Sequence, residues 1–379
     1  MRVVIAPDSF KECLTAEQVA EAIACGWRRG APGDEVVLVP LADGGEGTTT
    51  ALTEARQGSL QEVSVTGPLG TPVTARFGLV DGGSIAIVEV AEGSGLHCVP
   101  ENQRDALRAS SRGTGELMLA ALGRRPRTLI MGLGGSATTD GGAGILQALG
   151  AKLLDADGND IPPGGAGLAK LASLDLQPAI NQLAGVELVV ACDVNNPLTG
   201  DRGAAAVFGP QKGASPEQVA LLDKNLEHFA RLAKAAGFTI DGFAGSGAAG
   251  GIGGTVAGIL GATLKPGIEL VMETVQLEQQ VRNADLVITA EGAIDTQSAY
   301  GKTPAGVAGL ASKHRVPVIG LGGKVGGDLS DLHAQGLTAA FSITPAPIAL
   351  ADAYDQAAEN LADSSEQIAR LVHGLAMKD

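Results

Sequence analysis

The sequence predicts an α/β protein of two domains. One domain would form a parallel sheet from both ends of the chain, and the other, inserted between them, would carry a mixed sheet. Three observations point this way. Short runs of Val, Ile and Leu followed by helical patterns recur near both termini. An antiparallel hairpin signal occurs only in the interior. Aromatic residues are 3% of the total, which leaves the core to Val, Leu, Ile and Ala and suits parallel strands covered by helices. A chain of 379 residues is also too long for one ordinary core. The boundaries expected are 1–66 with 276–379 for the terminal domain and 67–275 for the insert.

Taken in order, "RVVIAP" (2–7) reads as a buried strand, and Thr15 with Gln18 forms a capping box that opens a helix closed near Gly30. "EVVLVP" (35–40) is a second strand, followed by "LADGGEG" and a helix to about Arg56. Within 66–96, two strand-like runs meet at Asp81-Gly82-Gly83, a hairpin turn. Ser215, Pro216 and Gln218 mark another capped helix start. Toward the C-terminus, "DLVITA" (285–290), "VPVIGL" (316–321) and "AAFSI" (339–343) read as strands, with helices near 304–314 and 353–376.

Composition narrows the function. A formal charge of −15 opposes nonspecific contact with nucleic acid and with anionic membrane. The four cysteines form no CxxC pair and are too sparse for a disulfide framework, so a reducing, cytoplasmic setting is expected. The five histidines show no zinc spacing. The N-terminal stretch has only a short apolar run before Asp8 and reads as no signal peptide. The uncharged segment 243–264 is about one-third glycine, which suits a loop leading into a buried helix better than a membrane span.

In parallel sheets ligands gather at the carboxyl ends of strands. Here those ends carry carboxylates, lysines and glycines: Asp8, Ser9 and Lys11; Asp43 and Glu46; Glu291 and Asp295; Asp193 and Asn195. The stretch "LIMGLGGSATTDGG" (129–142) runs from a strand into glycines broken by hydroxyls and one carboxylate. Gly134, Gly135, Ser136 and Thr138 suit phosphate oxygens, and Asp140 suits Mg²⁺, so a metal-bound polyphosphate is the expected ligand. Gly132, Gly134 and Ala137 also fit a GxGxxA pattern, with Asp155 about twenty residues on. That keeps a nicotinamide-dependent oxidoreductase as the alternative. "GKT" at 301–303 lacks the first glycine of a P-loop, because Thr296 stands there, yet Lys302 before Pro304 still offers an anion site at a helix start.

The blocks "APDSFKECLTA", "PLADGGEGT", "LGGSATTDGGAG", "CDVNNPLTGDRGAAAVFGPQKGA", "GSGAAGGIGG" and "EGAIDTQSAYGKTPAGVA" resemble, in that order, the type I glycerate kinases. The resemblance spans essentially the whole chain. It implies two α/β domains, one of them Rossmann-like, facing each other across a cleft. It implies transfer of the ATP γ-phosphoryl group to D-glycerate with Mg²⁺, with 2-phosphoglycerate favoured over 3-phosphoglycerate, in glyoxylate and organic-acid metabolism. The resemblance does not assign a role to each residue; from their chemistry and their places at strand ends and turns, Asp193 is expected to orient or deprotonate the accepting hydroxyl, and Lys11 and Lys302 to offset charge. Asp8, Ser9, Asp43, Glu46, Asn195 and Asp295 are expected to contact substrate, while Asp140 and Glu291 hold Mg²⁺. Expected partners are glycerate and ATP, with neither nucleic acid nor membrane; a homodimer is left open.

Overall fold

The computed structural model of the chain describes residues 1–10, 13–42, 45, 47–299 and 301–376. Lys11, Asp43 and Glu46 lie outside the described residues. In chain order the described strands are β1 (Arg2–Ile5), β2 (Glu35–Leu38), β3 (Ser59–Thr66), β4 (Pro72–Val80), β5 (Ile85–Glu89) and β6 (Thr128–Gly132). They continue with β7 (Lys152–Leu154), β8 (Ser173–Asp175), β9 (Glu187–Ala191), β10 (Thr263–Lys265), β11 (Leu286–Ile294), β12 (Val318–Val325) and β13 (Ala339–Ser342). The chain divides into two compact units, residues 1–43 with 268–379 and residues 44–267.

The terminal unit holds a five-stranded sheet in the order β13-β12-β11-β1-β2, and every pairing in it is parallel. The apolar runs of its central strands are buried on both faces, which is why they read as unbroken Val and Ile rather than alternating. Helix Ala16–Gly30 begins with the expected reciprocal cap between Thr15 and Gln18 and buries Val19, Ile23 and Trp27. The Trp27 indole N–H is not stranded by that burial, because it donates to Asp34 Oδ2 at 2.9 Å. Gly26 lets this helix lie against helix Ala357–Ala376: a Cβ there would overlap the carbonyl oxygen of Ala362.

The inner unit holds a six-stranded sheet in the order β10-β9-β6-β5-β4-β3, together with the small antiparallel ribbon β7-β8. Strands β10, β9, β6 and β5 are mutually parallel, whereas β4 and β3 run antiparallel, so the sheet is mixed. Asp81-Gly82-Gly83 turns β4 into β5, with Gly82 at φ 67° and Gly83 at φ 86°. A boundary at 66 would leave β3 with the terminal domain. In the structure β3 pairs with β4 along its full length, from Ser59↔Leu79 to Thr66↔Pro72, and so belongs to the inner unit. Helix Pro216–Ala235 carries the second expected capping box, between Ser215 and Gln218. The uncharged glycine segment forms the buried helix Ala248–Gly258, and no helix among the described residues is long and apolar enough to cross a membrane.

Candidate active site

In the inner unit the chemistry gathers where β5, β6, β9 and β10 end. β6 stops at Gly132, and the glycine-rich turn runs from 133 to 142 before helix Ala143–Ala148 begins. Segment 94–96 clamps this turn: Leu96 N–H donates to Gly135 O at 2.8 Å and Ala137 N–H to Ser94 O at 2.8 Å. From the other side, Gly141 N–H donates to Gly250 O at 3.0 Å and Thr255 Oγ1 to Gly141 O at 2.5 Å. Ala249, Gly250 and Gly251 all have positive φ, a local left-handed run that presents that Gly250 carbonyl.

Asp140 organises the turn. It is 0% exposed, and its Oδ2 accepts from Ser111 N–H at 2.8 Å, Ser111 Oγ at 2.9 Å and Gly144 N–H at 3.3 Å. Its Oδ1 accepts from Gly142 N–H at 3.1 Å. Burial raises its pKa, and these hydrogen bonds oppose the rise. The sequence reading expects Asp140 to ligate Mg²⁺. A carboxylate enclosed by four donors of its own chain is instead suited to fixing backbone, since Mg²⁺ keeps waters and phosphate oxygens around it.

Gly134 is half-buried, Gly135 is exposed at φ 71°, and Ser136 and Thr138 are buried. Lys212 reaches this turn from the short helical turn Pro210–Lys212, where Nζ donates to Ser136 Oγ at 2.9 Å and to Thr138 O at 2.6 Å. Lys212 is 2% exposed. Burial pushes its pKa down to about 7, with the charge of Asp140 acting in the opposite direction. The hydroxyls of Thr138, Thr139 and Ser246 are buried and have no hydrogen-bond partner among the described residues.

Asp193 follows β9 and is exposed, and its Oδ1 accepts from Gly267 N–H, just beyond β10, at 2.7 Å. Asn195 is exposed in the loop that Asn196 closes through its Nδ2 bond to Arg202 O at 2.9 Å. Glu89 ends β5 at 3% exposure and accepts from Thr49 N–H at 3.1 Å and Gly47 N–H at 3.4 Å. Desolvation raises its pKa to about 7 against those bonds, and the nearby charge of Glu92 adds to the rise. Sequence reasoning missed Glu89, Ser111 and the role of Lys212. Only Lys212 left a trace, as part of the unusual block 192–214.

The terminal unit has its own polar edge. Asp8 follows β1, and its backbone N–H donates to Ala290 O in β11 at 2.8 Å, which sets Asp8 near Glu291. Asp8 Oδ1 accepts from Ser9 N–H at 2.6 Å and Ser9 Oγ at 3.2 Å, while its Oδ2 accepts from Thr303 Oγ1 at 2.8 Å. Lys302 stands at the start of helix Thr303–Lys313, and its Nζ donates to Glu291 Oε1 at 3.1 Å. Asp8, Ser9, Glu291, Lys302 and Thr303 are thereby brought together. Asp295 serves its own turn, with Oδ1 accepting from Gln297 N–H at 2.8 Å. No group of three or more His, Cys, Asp or Glu among the described residues is placed to share a metal ion. Hard oxygens on neighbouring strand ends still suit Mg²⁺, which is commonly held by one or two carboxylates together with substrate phosphates.

The α/β fold sets this turn at the carboxyl ends of the parallel strands β5, β6 and β9, where such folds bind their ligands. A model of the Glycerate kinase family matches residues 3–373. The chain belongs to that family. It is 50% identical to the glycerate kinase of Bacillus subtilis (strain 168) over 370 residues, covering 97% of each chain. It is 47% identical to the glycerate 2-kinase of Escherichia coli (strain K12) over 370 residues, again covering 97% of each. The crystal structure assigned to glycerate kinase 2 of Salmonella typhimurium LT2 superposes with a TM-score of 0.91 at 47% identity, covering 100% of this chain and 99% of that one.

The oxidoreductase alternative finds no support. No helix starts within the GxGxxA pattern, since helix Ala143–Ala148 begins well beyond it. Asp155 lies beside the β7-β8 ribbon and caps its own turn, accepting from Asp157 N–H at 3.0 Å and Asn159 N–H at 2.9 Å.

Proposed function

We propose that this enzyme transfers the γ-phosphoryl group of ATP to D-glycerate, with Mg²⁺, and that it favours 2-phosphoglycerate. The observation that carries the reading is the oxyanion-ready turn at 133–142 in a chain matched to the family over nearly its whole length. The product preference is supported by the E. coli relative, which is named a glycerate 2-kinase. Organic-acid breakdown in the cytoplasm is the setting this chemistry fits.

Phosphoryl transfer needs alignment and neutralised charge more than covalent help. Gly134, Gly135, Ser136 and Thr138 would hold nucleotide phosphates, with Asp140 fixing the turn from behind. Glu291 would hold Mg²⁺, which when bound screens the phosphate charge. A glycerate hydroxyl oxygen attacks the γ-phosphorus, the bond from that phosphorus to the ADP oxygen breaks, and the hydroxyl proton passes to the Asp193 carboxylate. Lys302 would offset charge on the transferred group or on the glycerate carboxylate, and Lys11 is assigned the same task from sequence. Asp8, Ser9, Asp43, Glu46, Asn195 and Asp295 are the candidates for contact with the substrate.

A coupled assay for ADP release tests the reading. D-glycerate should turn over with Mg-ATP and stop with EDTA, and phosphorus NMR should assign the ester to carbon 2. ADP release that ignores D-glycerate would sink the substrate assignment. A 3-phosphate product would sink only the regiochemistry.

A further inference from the structure

Lys212 is the one Lys or Arg among the described residues that is buried. Its chain position is remote from the turn it serves: 76 residues separate it from Ser136. Burying an ammonium is costly unless it is hydrogen-bonded and its charge is answered. Two bonds and the nearby Asp140 charge offset part of that cost here, and burial still pulls the pKa down to about 7. The turn it enters has two hydroxyls with hydrogen-bonding capacity left for a ligand. Ser136 Oγ already accepts from Lys212 Nζ, so its own O–H hydrogen remains to be donated. Thr138 Oγ1 is buried without a partner among the described residues, although its backbone carbonyl is held by the same Nζ. An enclosed hydroxyl without a protein partner is costly, and a ligand acceptor would relieve it.

We propose that Lys212 is the positioning residue that makes the 134–138 turn an oxyanion site, acting through Ser136 and Thr138, and that the anion it serves is a phosphate group of the nucleotide. Lys212 grips Ser136 by its oxygen, which turns the hydroxyl into a committed donor, and in its protonated form, which a bound anion favours, it brings a positive charge to a turn that has no cation of its own in sequence. The nucleotide is favoured over glycerate because the turn offers hydroxyls and glycine backbone in series, the form that cradles phosphate. This inference rests on the kinase reading for the identity of the nucleotide.

The test uses the full enzyme and two titrations, Mg-ADP and D-glycerate, followed by calorimetry. Lys212→Met should weaken Mg-ADP by about 10- to 100-fold and leave D-glycerate within about twofold, the scale set by losing charge-assisted hydrogen bonds. In turnover the ATP KM should rise while the glycerate KM stays. Ser136→Ala should give a comparable loss and Ser136→Thr should restore it. The Lys212→Met/Ser136→Ala pair should fall well short of additive, because one residue acts through the other. A merely structural lysine would lower affinity for both ligands alike and add independently to Ser136→Ala. Unchanged Mg-ADP affinity in folded Lys212→Met, or a loss confined to D-glycerate, overturns the proposal. Where Lys212→Met fails to fold, Ser136→Ala against Ser136→Thr decides: equal Mg-ADP affinity in both overturns it. Intact Mg-ADP binding with no turnover of D-glycerate would sink the kinase reading and leave Lys212 standing.

Discussion

Two carboxylates at the residue scale have opposite surroundings, and their variants should behave differently. Asp193 is exposed at a strand end and is the candidate base. Asp193→Asn keeps an oxygen to accept the Gly267 N–H, so the fold should hold while kcat falls by about 10²- to 10⁴-fold, the usual worth of a positioned base. Full activity in that variant would remove Asp193 from the mechanism. Glu89 is buried, and its pKa lies near 7 against an ordinary 4.5 because burial disfavours the charge. Between those values the folded form holds a proton that the unfolded chain has released, so stability contributed by Glu89 is full below about 4.5 and is lost as pH rises through about 7. The rise from 4.5 to about 7 corresponds to about 3 kcal/mol. Glu89→Gln keeps an acceptor for Thr49 and removes the titration. In urea unfolding at pH 5 and pH 8, the wild-type loss of stability should exceed the variant's by up to about 3 kcal/mol; parallel changes in the two proteins would refute the assignment. The sequence made the residue types at strand ends readable, since Asp, Ser and Lys there are visible in one dimension. It could not reveal that Lys212 meets Ser136, or that Ser111 meets Asp140, because both pairings are made by folding across 76 and 29 residues.

At the scale of elements, the well-read features were those with local causes. The capping boxes at Thr15 and Ser215 are four-residue patterns, and both form as read. The Asp81-Gly82-Gly83 turn is equally local. β3 was misplaced because its partner choice depends on β4 and the sheet edge, not on its own pattern. Glycine in helices is similarly ambiguous in sequence and is resolved by packing. Gly26→Ala gains up to about 1 kcal/mol of helix propensity but drives a methyl into the Ala362 backbone carbonyl, an overpacking that costs roughly 1–3 kcal/mol or more. The clash should win, and the urea midpoint should fall. Gly309 lies inside helix Thr303–Lys313 with no atom within 4 Å of an added Cβ, so Gly309→Ala should raise the midpoint by up to about 1 kcal/mol. Equal shifts of the same sign would show that packing at Gly26 is not limiting.

For the molecule as a whole, ligand linkage distinguishes the functional readings without any variant. A ligand that binds only the folded protein stabilises it by about 2.7 kcal/mol at a hundred times its Kd. A turn built from glycine backbone, hydroxyls and a buried lysine offers donors to phosphate oxygens, and it presents no helix start where a dinucleotide pyrophosphate would sit. The net charge of −15 works against any free polyanion, so the charge of ATP must be screened before it approaches. Mg-ATP should therefore raise the melting temperature, ATP with EDTA should do so much less, and NADH at the same concentration should leave it unchanged. D-glycerate alone should give a smaller rise, because a three-carbon acid makes fewer contacts. Raising ionic strength weakens long-range repulsion over about 10 Å at 0.1 M salt, which should narrow the gap between Mg-ATP and free ATP without closing it. Protection by NADH equal to that by Mg-ATP would mean that the turn does not select a metal-screened phosphate chain, and the roles given to Ser136, Thr138 and Glu291 would have to be withdrawn together.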